Sequence, residues 1–445
     1  MKTIIIGGSA TGMGVAAKLK RLDPKNEIIV IQDKEYVSLG ACGIPYFVGD
    51  NFSNPETLIA RTVEKFEETG VKVIKNTKVD NVNFKNKEVF FNNESLKYDK
   101  LVIAVGSKPI IPSTKNVNAN NIFTVNSKED GIIIKNKITK ESKVLIIGSG
   151  LIGLEMVENI YNSKHSKITI IEKADKILKN IFDEEFSDLV ENKIHDKNIT
   201  LIKNDEVIEF LVDNKNNVTH AKTRNGETIE CDSVILSIGV LPNTQLFKKT
   251  NLEMELNGAI KINQYCETNI ADVFAGGDCC SSLSFLYKNT KTFYLATIAH
   301  KQAKIIADNI NQSKSNQFMG GLGTTIIRFF DLELARSGEN RTFMENQKIK
   351  TREILIKDKD HTNYVSNQKD LWLKIIVDNN TNEIINVQLA GKNKSVLRIY
   401  GLVSLIWSRV KVDHSLEQID LPYSPPFSRT TDIIHIALSK LCKER

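Results

Sequence analysis

The feature that most constrains this chain is a supersecondary pattern used twice. A short apolar run, Thr3-Ile4-Ile5-Ile6, ends in Gly7-Gly8-Ser9-Ala10-Thr11-Gly12 and leads into a helical stretch at 13–21. The pattern returns at 143–147, ending in Gly148-Ser149-Gly150-Leu151-Ile152-Gly153 before a helical stretch at 154–161. Each unit closes with another apolar run, 27–31 and 167–171. Strand, glycine turn, helix and strand in that order require parallel sheets with helices on both faces. The sequence therefore predicts an α/β fold built on two such units.

Other segments fit around them. Residues 71–74, 88–91 and 100–105 read as strands, the last ending in Gly106-Ser107; 232–238 ends in Gly239, and 272–275 in Gly276-Gly277-Asp278. Beyond Asn316 the runs 324–330, 350–356, 371–377 and 384–390 read as an antiparallel sheet, with helices near 397–408 and 431–441. At about 100–200 residues per domain, 445 residues predict two to four domains. The expected division is 1–110 with 239–315, then 111–238, then an α+β domain at 316–445, reached through an Asn/Ser/Lys-rich linker at 309–317. Six cysteines are too few for a disulfide scaffold and point to a reducing, cytoplasmic setting. The net charge of +6 is spread along the chain without a basic block interleaved with aromatics, so nucleic acid is not an expected partner. No run approaches the ~20 apolar residues of a membrane span, and the opening run is too short for a signal peptide.

The second glycine turn is the more regular. Gly148, Gly150 and Gly153 permit the tight turn, close approach of a pyrophosphate, and close helix–strand packing. The helix that follows offers free N–H groups and a positive dipole to phosphates. Glu172, at the end of the next strand, is placed to bind both hydroxyls of an adenosine ribose and to repel a 2′-phosphate; Lys173 beside it acts in the opposite sense. In the first turn Ser9 holds the middle position, and Gln32 stands where the ribose-binding acid belongs, with Asp33 next to it. Residues 268–278 form a strand that aims the Asp278 carboxylate at its carboxyl end, either toward a bound polyol or as a cap for the next helix. Both units thus read as Rossmann-like dinucleotide-binding domains.

Cys42 is the candidate reactive thiol. It follows the second strand of the first unit, in Ser38-Leu39-Gly40-Ala41-Cys42-Gly43-Ile44-Pro45-Tyr46, with no second Cys within five residues on either side. A lone redox Cys exchanges electrons through a mixed disulfide with an external thiol, or through a sulfenic acid. Cys231, Cys266, Cys442 and the vicinal Cys279-Cys280 lack ligand spacing, the seven His form no cluster, and no metal is expected.

Across nearly the whole chain these segments resemble the single-cysteine flavoprotein pyridine nucleotide-disulfide oxidoreductases, a group of NADH oxidases, NADH peroxidases and coenzyme A-disulfide reductases. The resemblance is carried by the two glycine turns, Tyr98–Ser107, Gly239-Val240-Leu241-Pro242-Asn243, the Asp278 motif, Gly323-Thr324 with Phe330-Asp331, Gln388-Leu389-Ala390-Gly391, and Asp420–Phe427. It implies FAD on the first unit, near Gly7, Gly8, Ser9, Ala10, Gly12, Gln32, Asp33, Val79, Ala104, Gly106, Asp278, Ala296 and Ala299. NADH or NADPH belongs on the second, near Gly148, Gly150, Ile152, Gly153, Glu172 and Gly239. The third domain is implied to be a dimerisation domain, making a homodimer.

Within the group the chain is most similar to the coenzyme A-disulfide reductases. The similarity lies in Cys42-Gly43-Ile44-Pro45-Tyr46, in Thr11 where peroxidases carry a His, and in Tyr364 and Tyr423, which match tyrosines that reach the Cys of the partner subunit. Thr11, Lys18, Arg21 and Arg61 are the implied contacts to coenzyme A. Ser38 is expected to bond the Cys42 sulfur if 38–42 is helical, and a helix N-terminus near the flavin to lower the Cys42 pKa. The chain departs from the pattern at Leu151, where an aromatic is usual, and at Val365-Ser366, which replaces Tyr-Pro. With Arg445 last, no rhodanese-like extension is expected. The implied activity is FAD-dependent reduction of coenzyme A disulfide by NAD(P)H through a Cys42–coenzyme A mixed disulfide. Three readings stay open beside it: a water-forming NADH oxidase, a coenzyme A persulfide or polysulfide reductase, and a flavoprotein serving a protein partner.

Overall fold

Three five-stranded sheets organise the molecule, for which a computed structural model describes residues 1–443. The first sheet is wholly parallel, in the order β10 (Val273–Ala275), β4 (Lys100–Ile103), β1 (Lys2–Ile6), β2 (Glu27–Ile31), β3 (Val71–Ile74). Its central strands are nearly continuous apolar runs because both faces are covered, and Ile4, Ile5, Leu101, Val102 and Ile103 are fully buried, whereas Lys72 on the edge strand β3 is exposed. On one face α1 (Ala10–Leu22) packs against α5 (Ala296–Asn311). Both β10 and α5 come from far along the chain, after the second unit. Their return sets Asp278 beside the first glycine turn.

The second sheet is also parallel, in the order β8 (Thr200–Lys203), β7 (Lys167–Glu172), β6 (Lys143–Ile147), β9 (Ser233–Leu236), β5 (Ile122–Phe123). One face is covered by α3 (Leu151–Lys164) and α4 (Glu184–Asp196), which contribute Leu154, Val157, Phe186 and Val190 to the core. A small antiparallel sheet, Val207–Val212, Val218–Thr223 and Thr228–Glu230, covers the other through Phe210 and Ala221.

The third sheet is antiparallel, in the order β11 (Thr325–Phe329), β12 (Leu332–Gly338), β15 (Ile384–Gly391), β14 (Asp370–Asp378), β13 (Thr351–Lys359). Helices α6 (Ile399–Trp407) and α7 (Ile433–Lys443) bury Leu402, Ile406, Leu438 and Leu441 against it. Ile327, Phe329, Leu332, Leu334 and Ala390 join the core of α3 and α4, so an apolar core runs between the second and third sheets. The segment read as a linker is ordered: α5 runs to Asn311, and the buried Asn309 donates from Nδ2 to the carbonyls of Tyr265 (3.0 Å) and Asn316 (2.8 Å). Among the described residues no helix is long and apolar enough to cross a membrane.

The seam between α4 and the third sheet also holds a buried cation. The Lys374 side chain is 2% exposed, with Nζ 2.9 Å from Asp183, 2.8 Å from Glu185 and 3.2 Å from Glu353. Burial penalises its charge, but the carboxylates outweigh that and raise its pKa. Removing Lys374 leaves the buried Asp183 with Arg341 alone, 2.7 Å away, so the cost lies at or below the roughly 3–5 kcal/mol of a fully unpaired buried charge. Lys374→Ala is expected to lower the thermal unfolding midpoint sharply, with Lys374→Met no better, because the loss is of charge rather than of volume. Calorimetry showing an unchanged midpoint in both variants contradicts this.

Candidate active site

At the first turn, Gly7 has φ +104° and lies so close to β4 that a Cβ would stand 2.2 Å from the Ala104 carbonyl oxygen. A Cβ on Gly12 would meet the Gly7 oxygen at 1.9 Å. The backbone therefore closes on itself only with glycine at these positions. Gln32 holds the turn from the end of β2: its Oε1 accepts from Gly8 N–H (2.9 Å) and its Nε2 donates to the Tyr36 carbonyl (3.1 Å). Asp33 is exposed beside it, while Val79 is buried in the core and offers only its backbone. Ser9 caps α1 without a side-chain hydrogen bond, so the helix begins with free N–H groups. Ser9 and Ala10 are exposed.

Thr11 is not where the sequence put it. It is 5% exposed, packed on Gly276 and Gly277, with its hydroxyl 3.5 Å from the Ala299 carbonyl. Expected against substrate, it instead holds the Asp278 loop to α1. Lys18 is similarly committed, 2.5 Å from Asp308 and donating to the Lys304 carbonyl of α5. Arg21 stays exposed at the end of α1, and the Arg61 guanidinium lies 4.1 Å over the Phe66 ring.

The Asp278 carboxylate accepts from Ser107 Oγ (2.9 Å), and burial raises its pKa. Gly106 beside Ser107 has φ +65° with open space around it. Ala296 begins α5, which also lacks a side-chain cap, and Ala299 is buried one turn on. Uncapped helix N-termini and a half-buried carboxylate whose hydrogen-bond donor is Ser107 match the phosphate and polyol ends of FAD.

The second turn repeats the geometry. A Cβ on Gly148 (φ +97°) would lie 2.6 Å from the Ser237 oxygen, and one on Gly153 would lie 2.2 Å from the Gly148 oxygen; Gly150 faces open space. Glu172 reaches back into this turn, its Oε2 accepting from Ser149 N–H (2.9 Å) and Oγ–H (2.6 Å), its Oε1 from Ala174 N–H (2.9 Å). Ile152 is exposed on the first turn of α3, and Gly239, at φ +108°, follows β9. This donor set fits a nicotinamide dinucleotide.

Cys42 is the only exposed thiol among the described residues. It sits in the 3-10 turn Ala41–Gly43 that feeds α2 (Ile44–Val48), and α2 packs on α3. The approach is close: a Cβ on Gly49 would stand 2.5 Å from Asn159 Oδ1, which also accepts from Asn51 Nδ2 at 3.0 Å. Two sequence expectations fail here. Residues 38–42 are not helical, because Ser38 takes φ +54° and Leu39 bridges Ile59, so Ser38 lacks the one-turn spacing to the sulfur. The Cys42 pKa is also raised rather than lowered, first by desolvation and then by the carboxylates of Glu155 and Asp278. A five-residue helix supplies too little dipole to offset them.

Glu155 is the residue that sequence reasoning missed. It lies on α3, and burial together with Glu158 pushes its pKa up to about 7. Glu158 is itself raised by burial and faces Arg328 at 3.6 Å. The available signal was two acids three residues apart on an otherwise apolar helix face. The remaining thiols are buried and their pKa values raised where shifts are resolved, Cys231 and Cys279 to about 12. Away from the cleft, His414, Glu417 and Cys442 bring potential ligand atoms within 4.8 Å of one another, a gathering that the sequence reading had not seen; the His414 Nδ1 to Glu417 Oε1 hydrogen bond (2.8 Å) accounts for part of it.

Tyr364 and Tyr423 meet hydroxyl to hydroxyl at 3.0 Å, both exposed. Thr362 ties their loops by donating from Oγ1 to the Pro425 carbonyl (3.0 Å). Bonds from Tyr364 and Thr430 lower the Tyr423 pKa, while that of Tyr364 is raised.

Residues 1–303 match the pyridine nucleotide-disulphide oxidoreductase family and residues 324–433 its dimerisation domain. The chain belongs to this family. Its members are enzymes that use FAD and NAD(P)H, which accords with the two turns. A relative from Pyrococcus horikoshii, named NAD(P)H coenzyme A polysulfide/persulfide reductase, is 30% identical over 99% of this chain and 98% of its own. A Staphylococcus haemolyticus protein named coenzyme A disulfide reductase is 26% identical over 98% of each. The solved NAD-dependent persulfide reductase of A. fulgidus superposes with a TM-score of 0.94 at 27% identity, covering all of this chain and 84% of that one.

Since Glu155 carries its charge only above about pH 7, its removal should ease Cys42 ionisation there. In the thiol-reduced enzyme, the pH midpoint for Cys42 alkylation by iodoacetamide should lie above that of an ordinary thiol and fall in Glu155→Gln. A midpoint that stays put or rises in the variant contradicts the assignment.

Proposed function

We propose that this flavoenzyme reduces sulfur–sulfur bonds of coenzyme A, coenzyme A disulfide foremost, with NAD(P)H as reductant. The observation that carries the reading is one exposed thiol with every other thiol buried. Such a thiol turns over only by pairing with a sulfur from outside the chain.

The Cys42 thiolate attacks one sulfur of the disulfide; the S–S bond breaks, a Cys42–coenzyme A mixed disulfide forms, and a coenzyme A thiolate leaves. Tyr423 of the partner subunit gives that thiolate its proton. The hydrogen bond that Tyr423 accepts from Tyr364 stabilises the tyrosinate left behind and so makes the phenol a better acid. FAD, which the first glycine turn and Asp278 would hold, would supply the two electrons of NAD(P)H that return the mixed disulfide to a Cys42 thiolate and a second coenzyme A thiol. Burial, and after it the Glu155 carboxylate, raises the Cys42 pKa, so an ionised sulfur is disfavoured there relative to one bonded in the mixed disulfide.

Exposed Tyr400 and Phe427 give the third domain an apolar surface for the twofold contact that would carry Tyr423 of the partner subunit to Cys42. Arg21 stays exposed and available to the coenzyme A phosphates, whereas Lys18 is paired with Asp308 and Arg61 donates to the Lys65 carbonyl while lying over Phe66. The Pyrococcus relative favours a second substrate with the same chemistry, coenzyme A persulfide. There the Cys42 thiolate attacks the sulfur bonded to coenzyme A, the S–S bond breaks, the outer sulfur leaves as hydrosulfide, and the same Cys42–coenzyme A mixed disulfide forms.

Tyr423→Phe keeps the ring and removes only the proton, so kcat with coenzyme A disulfide should fall by ~10²–10⁴-fold. Stopped-flow reduction of the bound flavin by NADH should be nearly unchanged. Full turnover by the variant contradicts the role. So does Cys42→Ser if it still reduces coenzyme A disulfide.

A further inference from the structure

Three charged side chains crowd the carboxyl end of β7. Lys173 follows Glu172, and its Nζ lies 2.9 Å from Glu206 Oε2; Arg224 pairs with the other oxygen of the same carboxylate. The two cations are free of cover, with side chains 73% and 66% exposed, whereas Glu206 is only 25% exposed. The Glu206 backbone is held at both ends: its carbonyl accepts from Arg224 N–H (2.9 Å), and its N–H donates to Asp205 Oδ1 (2.8 Å). Asp205 N–H in turn donates to the Glu172 carbonyl at 3.3 Å, so the group is tied to the residue that faces the ribose.

Glu172 cannot swing freely in this arrangement. Both its oxygens accept from the turn at Ser149 and Ala174. Its charge opposes a 2′-phosphate, but it leaves the space beyond it to Lys173 and Arg224. A phosphate monoester brings ~1.5–2 negative charges and three acceptor oxygens, the partner that such a pair of cations recognises.

We propose that Lys173 and Arg224 are the 2′-phosphate-binding residues of this enzyme and that Glu206 is an internal anion competing for them, so that Glu206 and Glu172 together set the balance between NADH and NADPH. The proposal rests on the reading of the second glycine turn as the nicotinamide dinucleotide site. Bound NADH leaves the Lys173–Glu206–Arg224 set intact. NADPH has to draw both cations off Glu206.

Isothermal titration of the holoenzyme with adenosine 2′,5′-bisphosphate and with 5′-AMP tests this, because the two ligands differ only in the 2′-phosphate. Glu206→Gln should tighten the bisphosphate by about tenfold and Lys173→Met weaken it by about tenfold, as one charge-assisted bond is gained or lost. Neither variant should change 5′-AMP affinity. Glu172→Ala should also tighten the bisphosphate, and the NADPH/NADH ratio of kcat/KM should follow the same directions. Bisphosphate affinity unmoved in Glu206→Gln and Lys173→Met overturns the proposal, as does an equal shift of both ligands. Failure of the wild type to bind 5′-AMP overturns the underlying site reading instead.

Discussion

Everything at the two cofactor sites depends on backbone pressed against backbone. At Gly7 and Gly12, and again at Gly148 and Gly153, the space of a Cβ is filled by a carbonyl oxygen at 1.9–2.6 Å. A side chain there would push the helix off the sheet and move its first N–H groups away from any phosphate. Because the contact partners are Ala104 and Ser237, each turn also locks in a neighbouring strand, β4 or the end of β9. Gly106 follows β4 and Asp278 follows β10 beside it, so both lie near the first turn that Ala104 closes.

These local features were legible in the sequence because glycine spacing and apolar runs encode them directly. The same holds for the parallel sheets, whose strands are buried on both faces, and for the change to an antiparallel sheet beyond residue 316. What escaped was set by contacts between distant segments. Lys18 looks like a free helix cation until α5 brings Asp308 against it. Thr11 looks like a cleft residue until the chain returns with Gly276 and Gly277. Ser38 failed for a local reason, since one residue at φ +54° breaks the helical spacing on which its role depended. Glu155 was hidden because a carboxylate on a helix is ordinarily solvated, and only α2 packing on α3 makes it a neighbour of Cys42.

The electrostatics of Cys42 bear directly on its chemistry. Desolvation and two carboxylates disfavour a thiolate, and no cation figures among the groups that shift it. A sulfur in that setting is more stable when covalently bonded than when ionised. A mixed disulfide removes the charge, stores the oxidising equivalent, and becomes a thiolate only when two electrons arrive. The Tyr364 hydroxyl lowers the Tyr423 pKa, which suits the proposed role of Tyr423 as acid to the leaving sulfur.

The central claim is that Cys42 rests as a disulfide with coenzyme A, and mass spectrometry of the intact enzyme purified without reductant tests it most directly. The account predicts one coenzyme A adduct per chain, mapped to the peptide containing Cys42, removed by dithiothreitol and absent from Cys42→Ser. A Cys42 found unmodified, or carrying oxygen in place of coenzyme A, contradicts it.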